Sequence, residues 1–360
     1  MLVPDEEMPA ARPRSQLRRV VQTAVSFGLV VAIFVFVLPQ IADFGEVWAE
    51  IRAMTWQESM GLAVAAAWNL ATYWFLWVAV LPGLTVSQAA VSTEASTAVA
   101  NTVPGGSYLA VALNYSMIHS WGFRRSVVTL SLLISGVWNN FAKLALPVLA
   151  LAALAVQGEA SASRLLAAGL GVLALVAAIV VFAAALRTEQ AAGRIGRAAQ
   201  RVAGAPLRLF RRPAPIGWDV AVTRFREKTI VLLRARWWSI SLATVVGHLS
   251  LYLVLLVALR NIGVSQSDVG WAEVLAVFAF TRLVTAIPLT PGGLGVVELA
   301  LTSGLVAAGG NREEVVAAVL VYRFLTYVLP IPLGVVSYVF WRRNSSWRRE
   351  AQPVLAPAAG

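Results

Sequence analysis

Long apolar runs separated by short polar breaks dominate this chain. A helix needs roughly 20 mainly apolar residues to cross the hydrocarbon core of a bilayer. On that count residues 20–38, 61–81, 127–156, 164–186, 238–259 and 315–341 each predict a full membrane-spanning helix. Two more apolar stretches, 87–118 and 271–309, are interrupted midway by Pro-Gly-Gly. Proline removes a backbone donor and collides with the preceding turn. Backbone groups freed in this way persist at membrane depth only where protein or a wet cavity covers them. Each interrupted stretch therefore predicts a hairpin of two half-helices.

The two interruptions correspond. Thr102-Val103-Pro104-Gly105-Gly106 and Leu289-Thr290-Pro291-Gly292-Gly293 both lie between full spans. The second continues through Leu294 and Gly295 to a carboxylate, Glu298. Paired Pro/Gly breaks at matching places are the sequence mark of a transporter site, where half-helix ends meet near the bilayer midplane. A repeated packing kink without a ligand is the alternative reading.

Charge sets the orientation. Arg12, Arg14, Arg18 and Arg19 precede the first run, whereas Asp43, Glu46, Glu50 and Glu58 face Arg52 alone after it, which puts the N-terminus inside. The richest basic segment, 187–236, then falls inside only if both broken stretches re-enter rather than cross. The expected fold is an all-α polytopic membrane protein with about six full transmembrane helices and two opposed re-entrant hairpins in an inverted-topology repeat. Its parts are a cytoplasmic basic N-terminus (1–19), a first membrane half (20–186) with a hairpin at 87–118, and a cytoplasmic Arg-rich segment (187–236). A second membrane half (237–341) with a hairpin at 271–309 and a cytoplasmic tail (342–360) complete it. The N-terminal run is too long for a secretory signal core and lacks a small-residue cleavage site, so it reads as a retained span. The implied location is the plasma membrane, with both termini cytoplasmic.

Composition supports the class and narrows the chemistry. At 59% hydrophobic and 13% charged, the chain is too apolar for a soluble protein. The net charge of +11 clusters between spans and so reads as a topology signal, with no nucleic-acid partner implied. There is no cysteine, and with His119 and His248 as the only histidines no metal site or cofactor is expected. The Gly-rich break lacks the Gly-Lys-Ser/Thr of a phosphate loop.

An ionisable group at membrane depth costs on the order of 2.5–3.5 kcal/mol, so it pairs or lines a cavity. The candidates are Lys143, His248, Arg282, Glu298 and Arg323. Glu298 is expected to pair with Arg323 or Arg282, leaving a guanidinium whose planar fork suits a phosphate; a purely structural ion pair is the competing reading. Lys143 follows Asn139 and Asn140, whose amides have the option of bonding across helices. Arg194, Arg197, Arg201 and Arg208 recur at helical spacing and fit a helix lying on anionic lipid. Trp237, Trp238, Trp341 and Trp347 read as interfacial anchors.

Pro291-Gly292-Gly293-Leu294-Gly295-Val296-Val297-Glu298, with Tyr322-Arg323-Phe324 and Tyr327-Val328-Leu329-Pro330 downstream, resembles the signature of the lysylphosphatidylglycerol synthase transmembrane-region family. In the multiple-peptide-resistance proteins that region acts as a lipid flippase. The resemblance implies a protein that moves or handles lipids, with no catalytic residues. The family's first break often carries a Gly-Glu pair and a following Arg, where this chain has Ser107, Tyr108, Leu109 and Ala112. The short tail after Glu350 leads us to expect no aminoacyl-transferase activity.

The expected lipid-binding or translocation residues are Pro291, Gly292, Gly293, Gly295, Glu298, Arg282, Arg323, Pro104, Gly105, Gly106 and Lys143. The expected partner is an anionic or aminoacylated phospholipid or a lipid-linked headgroup. A homo-oligomer or an envelope-synthesis partner, for which the chain would act as a scaffold, stays open, as does a lipid-linked transferase.

Overall fold

A computed structural model describes residues 44–103, 106–158, 162–209, 218–285 and 290–349. The expected span at 20–38, the basic segment 1–19, Pro104 and Gly105, and tail residues 350–360 lie outside the described residues. So does the side chain of Arg208. The described chain is all helical, with one isolated bridge between Trp121 and Arg349.

A short helix α1 (Phe44–Ala53) leads into α2 (Trp56–Val80), and α3 (Val86–Thr102) and α4 (Gly106–Ser120) flank the first break. Three helices fill the middle: α5 (Arg125–Val156), α6 (Ala162–Arg187) and α7 (Glu189–Leu209). Then come the long α8 (Trp218–Ile262) and α9 (Trp271–Val284). After a 3₁₀ turn (Pro291–Gly293), α10 (Val296–Ala307) and α11 (Arg312–Arg323) follow, and a π-helical turn (Phe324–Val328) joins α11 to α12 (Pro330–Arg343). The start signals are local. Thr55 and Glu58 form a reciprocal capping box at α2, with the Thr55 N–H donating to Glu58 Oε2 at 2.7 Å, and Thr85 and Gln88 repeat it at α3.

Among the described residues, five helical stretches are long and apolar enough to cross a membrane: Trp56–Val80, Arg125–Val156, Gly169–Arg187, Phe225–Ile262 and Arg312–Arg343. They coincide with five of the predicted spans, and the chain is a multi-pass membrane protein. Along α6 the residues Leu170, Leu173, Val176 and Val180 are all exposed. In water that surface would be unfavourable; in lipid it is the expected solvent contact.

Within the Arg-rich segment 187–236, residues 189–209 form α7 and residues 218–236 form the first turns of α8, which runs through residue 237 without a break. Helix α7 packs on α8, with Ala192 and Gly193 buried and Arg194, Arg197 and Arg201 exposed. Trp237 and Trp238 stack on each other at 4.2 Å within α8. Trp341 and Trp347 pack on the α4–α5 turn, where Trp341 Nε1 donates to Ser120 Oγ at 3.0 Å and Trp347 meets Trp121 edge-on.

The packing interlocks the two broken stretches. Helix α3 is clasped by α4 and by the last helix, α12. A Cβ at Gly334 of α12 would collide with the Glu94 carbonyl and the Ala98 methyl, so only glycine lets these helices touch at backbone distance. The α9/α10 hairpin leans on α5 and α11, and α11 packs on α8, around a core that includes Leu255, Leu259, Phe278, Leu301 and Leu305. The 3₁₀ turn between α9 and α10 contacts both α3 and α4. The second break thus lies against the helices on both sides of the first.

Candidate functional site

The second break is a chain of left-handed glycines. Gly292, Gly293 and Gly295 have φ of 55°, 71° and 82°, values that side chains with a Cβ rarely adopt. Gly292 is sterically required as well, because a Cβ there would overlap the Tyr327 ring and approach Asn101 Oδ1 at 2.9 Å. Thr290 Oγ1 donates to the Leu294 carbonyl at 2.8 Å and so satisfies backbone that the turn frees.

Glu298 lies one turn into α10 and is 1% exposed. Its Oε2 accepts from the Gly295 N–H at 2.7 Å, capping the new helix, where the positive end of the helix dipole favours a carboxylate. Its Oε1 accepts from Arg323 Nε at 2.7 Å. Arg323 also donates from Nη2 to the Gly292 carbonyl at 3.2 Å, and its guanidinium carbon sits 4.4 Å from the Tyr327 ring centroid. One arginine in the last span therefore ties down both the broken turn and the helix that follows it.

Tyr327 lies in the π-helical turn, and such turns mark places where a helix departs from regular bonding for a local purpose. Its hydroxyl donates to the Asn101 carbonyl, and Asn101 Nδ2 donates to the Tyr327 carbonyl at 3.0 Å. Asn101 lies in the last turn of α3, just before the first break. This reciprocal clasp joins the two breaks through the last span. Gly106 at the start of α4 is as tightly placed, since a Cβ would overlap the Val99 carbonyl.

Between these elements lies a cavity of about 430 Å³. Helices α2, α3, α5 and α9 supply Asn69, Tyr73, Glu94, Asn101, Lys143 and Arg282 to its wall, and the second break and last span supply Gly292, Gly293, Arg323 and Tyr327. Of the expected residues, Lys143, Arg282, Gly292, Gly293 and Arg323 line this cavity, and Glu298 is bonded to one of them. Gly295 and Gly106 are not among its lining residues.

The two arginines play different parts. Arg323 is fully engaged by Glu298, Gly292 and Tyr327. The Arg282 guanidinium makes no hydrogen bond or ion pair among the described residues, and its Nε is buried without a partner. Lys143 likewise makes no hydrogen bond there. Of the options open to Asn139 and Asn140, each takes the local one and donates back to its own helix, to the Ser135 and Gly136 carbonyls. His248 is buried and meets only the Asn139 carbonyl, at 3.5 Å.

Sequence reasoning missed Glu94. It is 5% exposed and accepts from Trp74 Nε1 at 2.8 Å on one oxygen, while its Oε2 has no partner. The available signal was that Glu94 is the one charged residue in the seventeen of α3.

A model of the lysylphosphatidylglycerol synthase TM region family matches residues 20–334. The phosphatidylglycerol lysyltransferase of Staphylococcus xylosus is 26% identical over 115 residues, which cover 32% of this chain and 14% of that protein. The enzyme of the same name from Staphylococcus haemolyticus (strain JCSC1435) is 29% identical over 73 residues, covering 20% of this chain and 9% of its own length. The matched part is thus a small fraction of either relative.

Proposed function

The chain belongs to the lysylphosphatidylglycerol synthase TM region family, and from that premise we propose that it is a lipid translocase whose cavity receives a phosphate-bearing headgroup. The observation that supports this most is the pair of cations, Lys143 and Arg282, that share the wall of one cavity and make no hydrogen bond among the described residues. An unpaired guanidinium at membrane depth is costly, and a phosphate is the membrane component whose charge and geometry satisfy it. A volume of about 430 Å³ falls within the roughly 300–1,000 Å³ of small-molecule sites.

In this reading α3/α4 and α9/α10 are re-entrant hairpins entering from opposite faces, and the described spans together with residues 20–38 give six full crossings. The basic stretch 187–236 and both termini then face the cytoplasm, and the protein resides in the plasma membrane. The headgroup enters between the hairpin tips while its acyl chains stay in lipid. Arg282 and Lys143 hold the phosphate, and Glu298 with Arg323 keeps the second tip in shape. Movement rather than bond making is the proposed activity, with an anionic or aminoacylated phospholipid as cargo.

The test is transfer of fluorescent phosphatidylglycerol between leaflets by the purified chain in liposomes. Wild-type protein is expected to speed transfer above empty vesicles, and Arg282→Ala to lose it while inserting normally. Equal transfer by wild type and by an Arg282→Ala/Lys143→Ala double variant would remove the site assignment. No transfer by wild type across a broad lipid panel would remove the translocase reading itself.

A further inference from the structure

The cavity wall holds a second polar group that is only half bonded. Glu94 is almost fully buried on α3, its Oε1 is taken by the Trp74 indole, and its Oε2 has no partner among the described residues. Neighbouring Thr93 Oγ1 is also buried without one and lines the same space. The charged and titratable groups sharing that space are Tyr73 of α2, Lys143 of α5, Arg282 of α9, Tyr322 and Arg323 of α11, and Tyr327 of the π turn. The other elements packed against α3 offer only Ser107, the glycines of the second break and Pro330 to the wall.

A carboxylate oxygen buried without a partner behind such a wall is costly in either form, and a small turn of the Glu94 side chain would let the cavity contents complete it. As an anion it needs a donor and repels a phosphate; as an acid it becomes a donor and suits one. We propose that Glu94 is a proton-binding site linked to headgroup binding: it takes up one proton when a phosphate settles beside Arg282 and Lys143, and releases it when the phosphate leaves. The proton comes from bulk water and forms the O–H bond on Oε2. That hydroxyl donates to a phosphate oxygen, and on release the O–H bond breaks and the proton returns to water. An anionic headgroup would then travel with a proton, and a pH difference across the membrane would bias its direction. This rests on the translocase reading for its cargo, but the proton count does not.

The experiment uses the full chain in detergent, weakly buffered with an indicator dye, titrated with dioctanoyl phosphatidylglycerol and, separately, with glycerol 3-phosphate. Wild type is expected to take up about one proton per lipid bound, with affinity falling about tenfold per pH unit above the Glu94 pKa, as linkage requires. Glu94→Gln imitates the protonated acid and keeps an oxygen for Trp74, so its affinity is expected to be flat with pH and its proton uptake absent. Lipid binding by wild type without proton uptake overturns the proposal and leaves translocation standing. Equal uptake in Glu94→Gln also overturns it. Uptake with glycerol 3-phosphate but not with lipid keeps Glu94 and removes the lipid cargo; binding of neither removes both. The wild-type proton count decides the matter even if the variant fails to fold.

Discussion

The Glu298–Arg323 pair is open to a quantitative test. Its atoms meet at 2.7 Å, with the carboxylate 1% and the guanidinium 11% exposed. With charge centres about 4 Å apart and an effective dielectric of about 20, their attraction is about 4 kcal/mol. Glu298→Gln removes the charge and sets an amide N–H against a donor, either the Gly295 N–H or Arg323 Nε. Breaking a buried pair from one side costs about 3–5 kcal/mol, because the survivor stays buried and unpaired. Arg323→Gln is expected to cost a similar amount. The double variant leaves no orphaned charge, so its loss is expected to fall at least about 2 kcal/mol short of the sum. Reversible unfolding in mixed detergent micelles gives all three values. Additivity within about 0.5 kcal/mol would refute the reasoning, since independent sites behave that way.

Arg282→Ala and Lys143→Ala are expected to slow lipid transfer while leaving thermal stability unchanged; a lost charged hydrogen bond of about 1.5–3 kcal/mol corresponds to roughly 10- to 150-fold. Gly292→Ala introduces a Cβ at φ 55° against the Tyr327 ring, and the strain alone, about 1–3 kcal/mol, is expected to lower the unfolding midpoint measurably. Tyr327→Phe removes the bond to the Asn101 carbonyl and keeps the ring under Arg323, so a smaller loss of about 0.5–1.5 kcal/mol is expected. A larger loss than that of Gly292→Ala would show the hydroxyl to matter more than the packing.

The spans were legible because apolar length is a property of composition, and the second break because Pro291, three glycines and Glu298 are local signals. The Glu298–Arg323 bond was legible as one of two choices, since burial forces each charge to find the other. What decided between Arg323 and Arg282 was not local: the π turn after Arg323 and the Tyr327 ring beneath it hold that guanidinium over Gly292, and no periodicity announces a π turn. The continuity of α8 across residue 237 was hidden for a different reason. Charge marked 187–236 as polar, but no glycine or proline interrupts residues 218–246, so the helix begun at Trp218 has no cause to stop. Glu94 went unseen because α3 is rich in Ser, Thr and Ala, and its moderate polarity hid a solitary buried carboxylate. Asn139 and Asn140 show the converse: amides that suggested a contact between helices were satisfied one turn away.

The hold of α12 on α3 has a consequence for how the protein is made. Helix α3 buries Ser92, Thr93 and Glu94 within the protein, yet the residue that closes over it, Gly334, is synthesised about 240 positions later. At roughly 5–20 residues per second the ribosome needs on the order of ten to fifty seconds to deliver that cover. During this interval the buried polar groups of α3 lack their final cover, and the helix must wait beside the insertion machinery or shelter against α2 and α4. Premature stop codons before the last helix are then expected to yield rapidly degraded chains, even though every earlier span is present.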